Sequence, residues 1–305
     1  MSEKAAHTAE HVFAGALSKI VPGLRVHKVE LGASNSVTLE IESLDWDTAL
    51  KAEIVTNNII AEGRAVRVHT FRNLDEAKGR FEGLRSREDR IVGDVRVVEI
   101  DGFDYAACTG EHVQNTKECS FFLISGLSES GGTVKVEFLV GEKARNRALE
   151  MCSTCFKAAK VLATNVENLE KAAEKAKLEC YVLRGKLMDA TDEVLKRIQP
   201  LERDSFRVYQ AFLRGADKGT VMERAGRIIE KDDRAVTIFA IQEKGFSHII
   251  MARGKGLPFD CRRVLEDALR GKGFKGGGKA DFASGIIQSE ECEKDIESIT
   301  ESLRF

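Results

Sequence analysis

Between Gly141 and Lys196 the chain contains no proline and, after its first residue, a single glycine, Gly185, while Ala, Glu, Lys and Leu abound. Residues of this kind favour helix strongly, and a run this long without a breaker has few other ways to fold. Leu149, Cys152, Phe156, Ala159, Ala163 and Val166 recur at alternating three- and four-residue steps, the seam of a coiled coil or helical hairpin. The phase slips near Leu169 and Glu170, which predicts a bend there. A helical connector over residues 141–200 separates two flanks, 1–140 and 201–305. At about 100–200 residues per domain, each flank is long enough to bury its own core. The same apolar seam could pair two copies of the chain, so a homodimer through the connector or the C-terminal domain is one expectation.

Composition narrows the class. With 43% hydrophobic and 31% charged residues the chain is neither disordered nor fibrous. Its formal net charge of −2 excludes a uniformly basic coat but is silent about local patches. Seven dispersed cysteines, an odd number in a chain this large, read as free thiols in a reducing compartment. The N-terminus lacks the apolar core of a secretion signal, and no apolar run approaches the ~18 residues of a membrane span. A cytoplasmic protein with no membrane partner is the expectation.

The N-terminal flank reads as α+β with an antiparallel sheet. Apolar positions from Ala5 to Ile20 follow a 3.6-residue period that stops at Pro22-Gly23. Strands are predicted at Leu24–Leu31, around Val37–Ile41, at Ala65–Thr70 and at Arg90–Ile100. Asp45 and Asp47 can cap a helix that exits at Glu62-Gly63, and a short helix fits Asp75–Leu84. Cys119–Leu127 and Thr133–Val140 form a hairpin around Ser130-Gly131-Gly132. The C-terminal flank reads as α/β. Helices are predicted at Phe206–Leu213, Gly219–Glu230 and Cys261–Leu269 and from about Gln288, with strands at Ala235–Gln242 and Ser247–Ala252. Gly276-Gly277-Gly278 reads as a loop.

His7-Thr8-Ala9-Glu10-His11 is the sharpest local motif. Residues four apart on a helix lie one turn above each other, so both imidazoles can converge on one atom. Cys108-Thr109-Gly110-Glu111-His112 offers a thiolate and an imidazole at the same spacing, with a glycine that permits a tight turn. Together His7, His11, Cys108 and His112 provide three nitrogens and one soft sulfur, a set suited to zinc rather than magnesium or calcium. Four protein ligands close a structural site, whereas a catalytic zinc keeps a position open. Both roles remain open on the spacing alone. Glu10 and Glu111, inside the motifs, are candidate acid–base groups.

These motifs resemble the HxxxH and CxxxH zinc motifs of the editing domains of alanyl-tRNA synthetase, threonyl-tRNA synthetase and the free-standing AlaX proteins. The resemblance covers about residues 5–140. Where that family usually continues with a Thr-Gly-Glu-Ile-Gly-like segment, this chain reads Thr116-Lys117-Glu118-Cys119-Ser120. A second resemblance is independent of the first. Gly276-Gly277-Gly278-Lys279-Ala280-Asp281-Phe282-Ala283-Ser284-Gly285 is similar to the GGG-x-x-D-x-A-x-G signature of the DHH-associated C-terminal domain, which follows the editing domain and a helical connector in alanyl-tRNA synthetase. Both motifs in this order identify the chain as a member of the AlaX type, long form.

The resemblance implies one zinc per chain and hydrolysis in trans of mischarged Ser-tRNA(Ala), with Gly-tRNA(Ala) as a second substrate. A synthetase pocket for alanine discriminates weakly against one added hydroxyl or a smaller residue, so a second site must remove the errors. With the HxxxH helix first and no DHH or DHxxxD segment in the sequence, hydrolysis without aminoacylation or phosphoesterase activity is the expectation. Three other readings stand: threonyl-type editing of Ser-tRNA(Thr), a non-catalytic tRNA-binding module, and a metal-dependent phosphoesterase.

Charge distribution suits an RNA partner. Residues 253–279 hold eight Lys and Arg residues against three acids, whereas residues 290–305 hold six acids and two bases. Arg262, Arg263, Lys272, Lys275, Lys279, the glycines 276–278 and Asp281 are therefore the candidate tRNA contacts. Lys78, Arg80, Arg85, Arg87 and Arg90 form a second basic cluster that could meet the acceptor stem. Cys152-Ser153-Thr154-Cys155 is expected to pack inside the connector, and His27, near the end of the first helix, is a weaker pocket candidate.

Overall fold

A computed structural model describes residues 3–86, 93–203, 205–288 and 292–303. They divide into two compact units, Met1–Leu169 and Glu170–Phe305.

The first unit is built around α1 (Glu3–Ile20), which is buried without interruption from Thr8 to Leu17. Alanine at 5, 6, 9, 14 and 16 and Gly15 keep the helix thin enough to be covered on every side. Phe13 stacks on Phe122, which stacks on Phe138, with ring centroids 5.0 and 5.1 Å apart. Those two partners lie on β6 (Phe122–Ser130) and β7 (Thr133–Val140), the hairpin expected from sequence. With β1 (Val26–Glu30) and β2 (Asn35–Leu39) they form an antiparallel sheet in the order β1-β2-β7-β6. Val12, on the opposite side of α1, meets Ile59 and Ile100.

Ile59 belongs to α2 (Trp46–Glu62), which starts where Asp45 accepts the Thr48 N–H at 2.8 Å and stops at Gly63, whose φ of 70° suits glycine. Ile100 closes β4 (Val95–Ile100), the middle strand of a second antiparallel sheet with β3 (Val66–Phe71) and β5 (Asp104–Ala107). Sequence analysis missed β5, whose four residues are too few to display an alternation. The short helix α3 (Leu74–Arg80) contributes Ala77 to the cluster over Phe81, Val95 and Val97.

The helical stretch breaks where the phase slips. α4 (Glu142–Val161) ends, Ala163 turns the backbone with φ 50°, a 3-10 turn spans Val166–Asn168, and α5 (Leu169–Lys196) begins. Leu149 and Phe156 are exposed, and so is Cys152, contrary to its expected packing; Cys155 is half-buried. Ala144 and Ala159 are the buried residues of α4, so most of this seam faces solvent.

The second unit holds a six-stranded sheet in the order β12-β13-β11-β10-β9-β8. Its strands are β8 (Leu201–Glu202), β9 (Arg207–Arg214), β10 (Ala235–Gln242), β11 (Ser247–Arg253), β12 (Lys275–Gly278) and β13 (Phe282–Ile287). β9 and β10 are parallel, joined by α6 (Lys218–Lys231), and the other neighbours are antiparallel. α7 (Cys261–Ala268) and α8 (Cys292–Ser302) complete the domain. Residues 206–213, expected to be helical, are mostly strand β9. Val208 faces one core and Leu213 the other, so burial on both faces erased the two-residue alternation. The glycine triplet is likewise a strand, not a loop. Gly276 lies opposite Gly285, and a Cβ on either would come within 2.6 Å of the Phe274 ring, so the glycines make room for that ring.

Gly15 offers a sign test of the packing. Gly→Ala inside a helix ordinarily stabilises by about 1 kcal/mol. Here the new Cβ would sit 2.8 Å from Cγ of Asp104, which is pinned by Arg85 at 2.7 and 2.8 Å and cannot withdraw. Gly15→Ala is expected to lower the thermal midpoint, and a raised midpoint would refute this packing account.

Candidate metal centre

α1 places His7, Glu10 and His11 on one side, because three- and four-residue steps return to the same face. Cys108 and His112 come from the irregular segment that follows β5. The donor atoms of His7, His11, Cys108 and His112 all lie within 4.8 Å of one another. Nε2 of His7 is 3.4 Å from Sγ of Cys108. The three imidazole centroids are separated by 5.0, 4.3 and 4.6 Å. Sequence spacing thus named four residues that the fold brings to one point.

The segment is held close to the helix by specific contacts. A Cβ on Gly110 would lie 2.1 Å from Cε1 of His7, so glycine is required for the approach. Thr8 Oγ1 accepts the Val113 N–H at 3.2 Å and lies 3.1 Å from Nδ1 of His112. That contact orients the ring and leaves Nε2 for ligation. Nε2 of His112 and Nδ1 of His11 are buried with no hydrogen-bond partner. Orphaned buried nitrogens beside a thiol are costly unless another species meets them, and a soft divalent cation fits this donor set.

Electrostatics keep the imidazoles in their ligand form. Burial, then the Arg85 charge and the neighbouring rings, hold His11 well below the ordinary histidine value. Burial also brings His112 down to about 3 and lowers His7. Neutral imidazoles can bind metal without first losing a proton, whereas burial raises the Cys108 thiol, so ligation by this sulfur must release one.

A cavity of about 870 Å³ opens beside His7, His11 and Cys108, and its walls include β1, Glu40, Arg85 and Ser86. Glu10 also lines it, with a side chain 3% exposed. Burial pushes the Glu10 carboxyl up to about 7, against the pull of Arg85. The two candidate carboxylates therefore differ sharply: Glu111 is 79% exposed and pairs with Lys4 at 3.3 Å. His27 sits at the same cavity, with Nδ1 3.2 Å from Glu40. Arg85, expected in a surface basic cluster, is instead bound in a two-pronged pair with buried Asp104 and donates to the His11 carbonyl at 3.3 Å. Arg87 and Arg90 of that cluster lie outside the described residues. Sequence reading missed Arg96 and Asp104, since an isolated charge carries no motif. Thr116–Cys119, where the family pattern departs, forms a 3-10 turn whose Thr116 and Cys119 are buried.

The C-terminal candidates sort by partner. Lys272 pairs with Asp295, whose side chain is fully buried, and Arg262 pairs with Glu266 at 2.8 Å. Arg262 and Arg263 open α7, where Asp260 caps both their N–H groups. Lys275 and the three glycines form the exposed edge strand β12, and Lys279 and Asp281 lie in the turn to β13. Among the described residues no ion pair engages Arg263, Lys275 or Lys279.

Residues 95–137 match the family described as the threonyl and alanyl tRNA synthetase second additional domain, and residues 206–304 match the DHHA1 domain. An alanine–tRNA ligase from Ignicoccus hospitalis is 30% identical over 302 residues, 93% of this chain but 31% of the ligase. An alanyl-tRNA editing protein AlaX-L from Pyrococcus horikoshii is 21% identical over 94% of this chain and 71% of its own length. An AlaX-M from Methanosarcina mazei is 31% identical over 128 residues, 41% of this chain. The chain thus spans about a third of the ligases that it matches. Among solved structures, the C-Ala domain of Aquifex aeolicus alanyl-tRNA synthetase aligns with 35% of the chain at 14% identity and a TM-score of 0.33. The chain is an α+β protein that pairs a synthetase second additional domain with a DHHA1 domain. Its domain content and order, and its match to AlaX-L over most of its length, are those of an AlaX-type long form.

The raised Glu10 value has a measurable consequence. The folded chain retains a proton that the unfolded chain gives up above the ordinary carboxylate range, so the metal-free protein loses stability as pH rises from about 4.5 to about 7. Glu10→Gln removes that loss. Its stability relative to the parent should grow by about 2–3 kcal/mol across this window in denaturant titrations. A pH-independent difference would contradict the assignment.

Proposed function

We propose that the protein is a cytoplasmic aminoacyl-tRNA deacylase that removes serine from mischarged Ser-tRNA(Ala) in trans, with Gly-tRNA(Ala) as a second substrate. The observation that carries the reading is the three-nitrogen, one-sulfur cluster at the wall of a cavity that also holds a buried carboxyl. The relatives' names supply the substrate class: alanyl-tRNA for the editing proteins, alanine and its tRNA for the ligases. Threonyl-type editing is the weaker alternative, because the alanine system accounts for both halves of the chain.

His7, His11, Cys108 and His112 would hold one zinc ion, and a catalytic part for it would require one of the four to yield its place or the ion to accept a fifth ligand. When bound, zinc supplies Lewis-acid polarisation or a lowered proton affinity for water. Water adds to the ester carbonyl carbon, the bond to the terminal ribose oxygen breaks, and that oxygen takes the proton, so free serine and intact tRNA leave. Glu10 is the carboxyl suited to carry the proton, since a value of about 7 lets it accept and return one near neutrality. Glu111, turned to solvent beside Lys4, is not assigned a catalytic part. Exclusion of alanine follows if the pocket hydrogen-bonds the serine hydroxyl, because the alanine methyl then leaves buried polar groups unpaired, whereas glycine leaves room for a water to meet them and is the slower substrate.

The tRNA would dock on the C-terminal domain. Arg263, Lys275 and Lys279 supply phosphate contacts, and the β12 edge at Gly276, Gly277 and Gly278 lets the RNA backbone approach closely. Arg262, Lys272 and Asp281 would be secondary contacts, since Arg262 and Lys272 are already paired with Glu266 and Asp295.

Ser-, Gly- and Ala-charged tRNA(Ala) and Ser-charged tRNA(Thr) should be compared in one deacylation assay. Release of serine from tRNA(Ala), with alanine retained, is expected. Cys108→Ala should lose the metal and at least about 100-fold in rate, an effect in the range seen when a dominant electrostatic catalyst is removed. Full activity without metal, or release of nucleotides instead of serine, would overturn the proposal. Arg263→Ala and Lys279→Ala should each weaken tRNA binding and reduce the salt slope by about 1. An unchanged slope in both would remove this surface from the interface.

A further inference from the structure

Arg96 lies in β4, outside both sequence motifs, yet it grips the ligand segment twice. Its carbonyl accepts the Cys108 N–H at 3.0 Å. Its Nη1 donates to the carbonyls of Cys108 at 2.8 Å and of Gly110 at 2.6 Å. The segment is irregular over 108–114, so these carbonyls have no ladder to satisfy them. The gripped residues matter individually: Cys108 carries the sulfur donor, and Gly110 is the point of closest approach to His7. β4 itself is the middle strand of its sheet, paired through Thr70 on one side and Ala107 and its neighbours on the other, and is therefore a rigid base.

We infer that Arg96 is a positioning residue of the metal centre, an anchor that holds the Cys108–His112 segment in the conformation in which its sulfur and imidazole converge with those of α1. This inference rests on the reading of the four-residue cluster as a metal site. Among the described contacts Arg96 makes no hydrogen bond to a donor atom, and it meets the cavity wall through the backbone of Cys108. It acts through two backbone carbonyls, and a guanidinium suits that task because one nitrogen can donate to both. Outer partners of this kind typically govern metal affinity by about 10- to 100-fold.

The test uses the full chain, metal-free, as the parent protein, Arg96→Met and Arg96→Lys. Cobalt(II) is titrated while its thiolate charge-transfer band is recorded, and zinc affinity is measured against a competing chelator. Arg96→Met should bind zinc about 10- to 100-fold more weakly and show a diminished thiolate band. Arg96→Lys should recover part of the loss, because an ammonium reaches at least one carbonyl. Amide exchange at residues 108–113 should quicken in Arg96→Met while the metal-free thermal midpoint stays close to the parent. Parental zinc affinity in Arg96→Met would overturn the inference, as would a metal-free midpoint that falls as far as the metal-loaded one. If the parent itself binds neither metal, the metal-site reading fails and takes the anchor with it; a parent that binds while Arg96→Met binds equally well rejects the anchor alone.

Discussion

A helix buried on every face is the constraint from which the N-terminal unit follows. α1 can be thin only because alanine and glycine occupy most of its turns, and it can be buried only because two sheets and α2 surround it. Two imidazoles and a carboxyl on such a helix are deprived of water. The carboxyl answers by favouring its proton, and the imidazoles by favouring the neutral form, with Nδ1 of His11 left unpaired. The candidate metal ligands and the proton-retaining carboxyl are thus products of the same burial. Arg85, paired with Asp104 and reaching the His11 carbonyl, fastens this helix to β5 beside the same cavity.

The second half of the site is irregular and depends on anchors. Nothing in the segment from Cys108 to His112 repeats, so its shape comes from Thr8, Arg96 and the absence of a side chain at Gly110. The Thr8 bond is worth about 1 kcal/mol on its own, and those of the charged Arg96 about 1.5–3 kcal/mol. Several acting on five residues fix one conformation. The resulting cluster sets four potential metal ligands and a protonatable carboxyl at the wall of one cavity.

In the C-terminal unit the same economy of small residues serves a different end. Gly276 and Gly285 face each other across β12 and β13 because the Phe274 ring lies over them, and β12, which carries Gly276, is the exposed edge of the sheet. Charge there is partly neutralised internally: Lys272 and Arg262 have acidic partners, so the cations available to a polyanion are fewer than the sequence count suggests. The glycine signature was legible as a motif and misleading as a conformation.

Helix α1, the caps of α2, the β6–β7 hairpin and the four donors were legible because each depends on local chemistry: an apolar period, a capping carboxylate, a glycine turn, a residue spacing. β9 was not, since burial on both faces removes the alternation by which a strand is recognised. The separation of Glu10 from Glu111 was also beyond the sequence, which shows two glutamates at equivalent places in two motifs. Only the tertiary structure, by burying one beside Arg85 and leaving the other beside Lys4 in water, made them chemically different. Sequence by itself determined which atoms could meet; burial and the distant contacts of Arg96, Thr8 and Asp104 decided how they are held, because solvation and long-range anchoring exist only once the chain has closed on itself.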